Sequence, residues 1–306
     1  MYLSFITGNV LQKFSKDNYN VVYQPQNNMF DTMLMSIPQH NYYLFGDNKR
    51  DYNMPNAIDL PQKYIDLYNY NLCCTNNIIG FTSNNLKQFH LNTLIFTHSY
   101  KPSYIKKEDA LLMSQRLNRE TKIFFSEAAK QSWNLQGRSS VIKYGVPTQF
   151  KILKAPSERK DILLFNSENL PHNQQLYQAL KSKGYSCDMI TSVVNSPEFI
   201  NAQFNEYKLC IDLAEHNISN LLCSISSGCV GISLKTQMLL NDYNIPGLIL
   251  TDSINALLDD ISSLLSIPDA EKESFGSEVN STFNFSVFSK HINELMLKAN
   301  TEAFIL

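Results

Sequence analysis

Apolar positions along this chain fall into two alternating patterns. Short continuous runs rich in Ile, Val, Leu, Phe and Tyr alternate with longer stretches in which apolar residues recur every three or four positions. The first pattern suits strands buried on both faces, the second amphipathic helices. It is clearest in the second half, where strands are expected at 161–166, 186–190, 208–213, 229–233 and 247–250. Helices are expected between and after them, at 173–183, 197–204, 219–227, 236–242 and 254–265, with Gly184 as a C-cap. The first half predicts strands at 2–7, 20–23, 42–45, 77–81, 93–97, 122–125 and 140–144, and helices at 29–36 and 107–117. A last helix is expected over 285–306. Strands and helices alternating at this spacing imply right-handed crossovers and parallel sheets.

A chain of 306 residues exceeds what one hydrophobic core usually serves, so two domains are expected. The stretch 146–160, with Pro147 and Pro156 and mixed charge, is the boundary candidate. The reading is an α/β protein of two Rossmann-like lobes with parallel sheets facing across a cleft. The N-terminal lobe is expected to cover 1–155 and a second lobe 156–284, with the helix 285–306 after it.

Composition narrows the function classes. Hydrophobic residues make up 43% and charged residues 18%, with a net charge of −2, so nothing forces a nucleic-acid partner. The six cysteines form no CxxC pair and fit no zinc spacing. The opening MYLSFITGNV lacks a basic n-region and a long apolar core, and no run approaches a membrane span, so a cytoplasmic protein without an obligatory membrane partner is expected.

In open parallel sheets, ligands bind beyond the carboxyl ends of the strands, and those positions carry the candidate chemistry. After the first strand come Gly8 and Asn9, either a close approach to a ligand or a plain tight turn. After TLIFT comes His98, able to donate to a sugar hydroxyl or to satisfy local backbone. After DILLFN come Ser167 and, further on, His172, with Asn166 closing the strand; this is a second anion- or base-recognition candidate, or a polar turn. After KLCIDLA comes Glu215-His216-Asn217-Ile218-Ser219-Asn220. Asn217 or Ser219 can cap the next helix, whose free N–H groups would receive a diphosphate, while Glu215 accepts from sugar hydroxyls or merely complements the helix dipole. Asp259-Asp260, Asp47 and Asp51, and Trp133 read as structural. Serine elbows, P-loops and HExxH are absent from the sequence.

Three stretches together resemble the group 1 (family 4) retaining glycosyltransferases of the GT-B fold. They are TKIFFSEAAKQSWNLQGRSSVIKYGVPTQF, LIFTHSYKP and EHNISNLLCSISSGCVGIS, within residues 93–265. The resemblance implies that Glu215 is the first signature glutamate, beside the donor sugar, and that His98 is the cleft histidine. Gly228 matches the signature glycine. The chain departs from the family at Cys223, where a ribose-binding glutamate is usual, and at Gly231, where proline is usual. It departs again in the loop NSENLPHNQQ, which lacks the family's Arg and Lys and offers only His172 as a potential cation. Lys235 is a possible contributor from the other side.

The expectation is transfer of a sugar from a nucleotide-diphosphate sugar, with retention and without a metal or other cofactor. His98 and Glu215 are the expected catalytic residues. The expected substrate-binding residues are Gly8, Asn9, Asn166, Ser167, His172, His216, Asn217, Ser219, Asn220 and Cys223. The acceptor is open: a glycan, a lipid-linked glycan, a protein or modified DNA. The alternatives are a catalytically degenerate, glycosyltransferase-like binding protein and a nucleotide-sugar epimerase.

Overall fold

The computed structural model describes residues 2–6, 41–45, 57–60, 70–75, 89–97, 108, 115, 121–166, 171–190, 197–213, 218–236, 240 and 242–305. These fall into two compact units. One holds the first seven strands and the chain from Phe288 onward, the other the span Tyr144–Val287.

The first unit carries a seven-stranded sheet of β1 (Tyr2–Ile6), β2 (Asn41–Phe45), β3 (Ala57–Leu60), β4 (Tyr70–Thr75), β5 (Phe89–Thr97), β6 (Thr121–Phe124) and β7 (Ser139–Val141). Its order is β3-β2-β1-β4-β5-β6-β7 and every ladder is parallel. Helix α1 (Glu127–Trp133) follows β6. Ser126 caps it by accepting from the Ala129 N–H at 3.0 Å, and Trp133, 1% exposed, is part of the core. The expected segments 20–23, 29–36 and 77–81, and 107–117 apart from residues 108 and 115, lie outside the described residues.

The second unit carries β8 (Lys160–Phe165), β9 (Cys187–Ile190), β10 (Tyr207–Asp212), β11 (Val230–Leu234) and β12 (Leu248–Thr251), all parallel, in the order β12-β11-β10-β8-β9. Its helices are α2 (Pro171–Ser182), α3 (Pro197–Phe204), α4 (Ile218–Ser226), α5 (Ile254–Leu265), α6 (Asp269–Thr282) and the start of α7 (Phe285–Ile305). One core face joins Ile162 and Leu164 of β8, Leu209 and Ile211 of β10 and Val230 and Ile232 of β11 to Leu176 and Leu180 of α2 and Leu257 and Ile261 of α5. On the other face Phe165, Phe204 and Phe150 form a tilted and edge-on stack with centroids 5.8 and 6.0 Å apart. With both faces covered, β8 reads as an unbroken apolar run, which is why the sequence reveals it.

Helix α6 falls where no element was expected. EKESFGSEVNST has no clear apolar stripe, yet Gly276 brings the helix against the end of α4. A Cβ there would meet the Ile225 and Ser226 carbonyl oxygens at 3.0 and 3.2 Å. β3 and β4 were also not anticipated; AIDL and YNLCCT are short and mix polar with apolar positions.

Candidate functional site

The order of the second sheet reverses between β8 and β10. The chain leaves β8 for β9 on one side and returns through α3 to β10 on the other. Such a reversal leaves a crevice at the carboxyl ends of the two strands, with the following helices starting on opposite faces. Register places Asp212, the last residue of β10, beside Phe165, the last of β8. Beyond them the described residues are Asn166 and Leu213.

Two asparagines are built into this edge in the same way. Asn173, the third residue of α2, turns its amide back and donates to the Phe165 carbonyl at 3.2 Å and to Asn166 Oδ1 at 3.0 Å. Asn220, the third residue of α4, donates to Asp212 Oδ2 at 2.9 Å. Both are 1% exposed, as is Asp212. The backbone oxygen of Asp212 accepts from the Ser233 hydroxyl at 2.6 Å, tying β11 to the same edge. In each case the NH2 group is used and the Oδ1 atom, though buried, has no hydrogen-bond partner; His172 Nε2 is in the same state. A buried polar atom without a partner costs about 1–3 kcal/mol, so three such atoms at one edge are a strong departure from ordinary interior construction. The two amide oxygens call for N–H or O–H donors.

Of the residues expected from sequence, the structure brings Asn166, His172, Ser219 and Asn220 to this edge. Ser219 is 1% exposed and lies inside the first turn of α4. Cys223 is on the same helix but fully enclosed, and burial pushes its thiol well above the ordinary value. Gly8, Asn9, His98, Ser167, Glu215, His216 and Asn217 lie outside the described residues. Gly228 ends α4 with φ +90°. The Gly228 N–H donates to Ile225 O and the Cys229 N–H to Ser224 O, a Schellman closure at a conformation that favours glycine. A Cβ at Gly228 would also meet Arg159 Nη2 at 3.0 Å.

No family model matches the chain, and no curated protein matches it in sequence. Solved structures match it over almost its whole length. HepE from Anabaena, in complex with UDP-glucose, has a TM-score of 0.62 at 12% identity, covering 97% of this chain and 100% of that one. A trehalose-6-phosphate structure from E. coli bound with UDP-2-fluoro glucose gives 0.58 at 9%, covering 97% and 99%. AviGT4, a glycosyltransferase involved in avilamycin A biosynthesis, gives 0.52 at 8%, covering 97% of each. The fold is that of the GT-B glycosyltransferases. At these identities the likeness is one of fold, and the residues of a GT-B site have to be read from this chain itself.

Within that GT-B framework, sequence reasoning passed over Asp212 and Asn173. The signal for Asp212 was present: a single carboxylate closing the otherwise apolar run LCID at a strand's carboxyl end. Asn173 had only its place in the first turn of a helix, which many asparagines share. Among the described residues no group of three or more His, Cys, Asp or Glu side chains is placed to hold a metal, and no helix is long and apolar enough to cross a membrane.

Proposed function

We propose that this chain is a glycosyltransferase that takes its sugar from a nucleotide-diphosphate donor received at the carboxyl edge of the second sheet. The observation that carries this reading is the set of buried acceptors without donors on Asn173 and Asn220, on the two helices that start at the β8–β10 reversal. Sugar and ribose hydroxyls and base N–H groups are the donors such atoms require. The first turns of α2 and α4 supply backbone N–H groups of the kind that hold phosphate oxygens. HepE is described with UDP-glucose, which makes UDP-sugars the first donors to try here.

The proposed chemistry proceeds with retention and without a metal. The bond from the anomeric carbon to the donor phosphate oxygen breaks, the acceptor oxygen attaches to the same face, and the acceptor's proton passes to the departing phosphate. The protein's part is positioning and electrostatic stabilisation. His98 and Glu215 orient the sugar, as the resemblance implies. The experiment is release of nucleoside diphosphate from a panel of nucleotide sugars. Release by the native chain that falls at least tenfold in Glu215→Ala supports the reading; no release from any donor contradicts it. A second reading, a binding protein without turnover, is favoured by the enclosed Cys223 at the position where the resembled family has its second glutamate. It predicts donor binding with no release.

A further inference from the structure

We infer that Lys235 supplies the positive charge for the donor's phosphates by exchanging its ion pair with Asp252 for the ligand, an assignment that rests on the donor reading above.

The stretches following the five strands of the second sheet are 166–170, 191–196, 213–217, 235–239 and 252–253. They read NSENL, TSVVNS, LAEHN, KTQML and DS, and they contain one Lys or Arg, Lys235. The first turns of α2, α3, α4 and α5 add none. Lys235 is thus the cation that the sequence puts directly after a strand of this unit, where a diphosphate would meet it.

Its position is appropriate. The Lys235 N–H donates to the Thr251 carbonyl at 2.9 Å, carrying the ladder one residue past β11. Along β11, Val230, Ile232 and Leu234 face the core shared with α2 and α5. Gly231 faces α4, since a Cβ there would meet Ile225 and Leu221. The alternation of a strand places Lys235 on the α4 side, with Asp212 and Asn220. Ile211 pairs with Ile232, so Lys235 stands one strand from the end of β10.

The ammonium now lies 2.9 Å from each carboxylate oxygen of Asp252, in a pair whose side chains are 54% and 75% exposed. Exposed pairs contribute little to stability, so giving up the Asp252 pair for a phosphate costs little. A phosphate partly enclosed by helix N–H groups offers a stronger charge-assisted bond than an exposed carboxylate.

The test is calorimetric titration of UDP, GDP, ADP, CDP and dTDP, and of the matching nucleosides, into the native chain and into Lys235→Met and Asp252→Asn. The native chain should bind at least one diphosphate more tightly than its nucleoside. Lys235→Met should lose about tenfold or more in affinity for that diphosphate, a step typical of one charge-assisted contact. Its affinity for the nucleoside and its melting temperature should not change. Asp252→Asn should bind the diphosphate more tightly. Unchanged diphosphate affinity in Lys235→Met overturns the inference and leaves the donor reading standing. A native chain that binds no diphosphate overturns both.

Discussion

The two ends of the second sheet are built on opposite principles. At the amino end, Arg159, 4% exposed, is fully engaged. Its guanidinium donates to Lys154 O, to Ser227 O at 2.8 Å, to Tyr207 O at 3.4 Å and to Asn205 Oδ1 at 2.9 Å. Asn205 and Asn201 in turn accept from the Leu153 and Lys151 N–H groups, locking the stretch before β8 onto α3. Burial pushes the neighbouring Cys229 thiol up to about 12, so it stays neutral beside the guanidinium. At the carboxyl end, asparagines just as buried are each left with an acceptor unused. One end has its polar groups satisfied from within the chain, as stability requires, while the other keeps polar groups in reserve, as a binding edge does.

The largest expected effect breaks this contrast directly. Arg159→Ala strands several buried acceptors at once and should cost about 4 kcal/mol in urea unfolding. Asn173→Ala also removes an acceptor that had no partner, so its cost should be nearer 1 kcal/mol. Equal losses from the two substitutions would erase the distinction between the ends. A smaller effect belongs to the amino end's rim. The Tyr207 hydroxyl donates to Asp188 at 2.7 Å and Lys160 pairs with it at 2.9 Å, holding its carboxyl below the usual range. A depressed carboxylate stabilises the fold above its unfolded pKa and loses that contribution as pH falls through the folded value. The side chain is 44% exposed, so the gain is small. Asp188→Asn should therefore be slightly less stable than the native chain at pH 7, and the gap should close below about pH 4, the ordinary carboxylate range. A gap that widens in acid would contradict the assignment.

Much of the second unit was legible in the sequence because its strands are buried on both faces and its helices are amphipathic. α3 and α5 have the bounds their pattern predicts, and α4 differs by one residue at each end. α6 was not legible, because the face it buries is Lys272, Gly276 and Val279, with a charged residue and a glycine where an apolar stripe would have large side chains. At the candidate site, position after a strand named Asn166, His172, Ser219 and Asn220, which lie at the carboxyl edge. Asp212 and Asn173 needed coordinates, because what marks Asp212 is the Asn220 amide brought to it, and what marks Asn173 is an oxygen left without a donor.

On the proposed function, the β8–β10 reversal at the carboxyl edge receives the ligand. Amide hydrogen exchange of the native chain, with and without UDP-glucose and with the other nucleotide sugars in parallel, tests it most directly. At least one donor should slow exchange in the first turns of α2 and α4, while exchange around Arg159 at the opposite edge stays unchanged. Protection confined to the amino edge, or none with any donor, would contradict it.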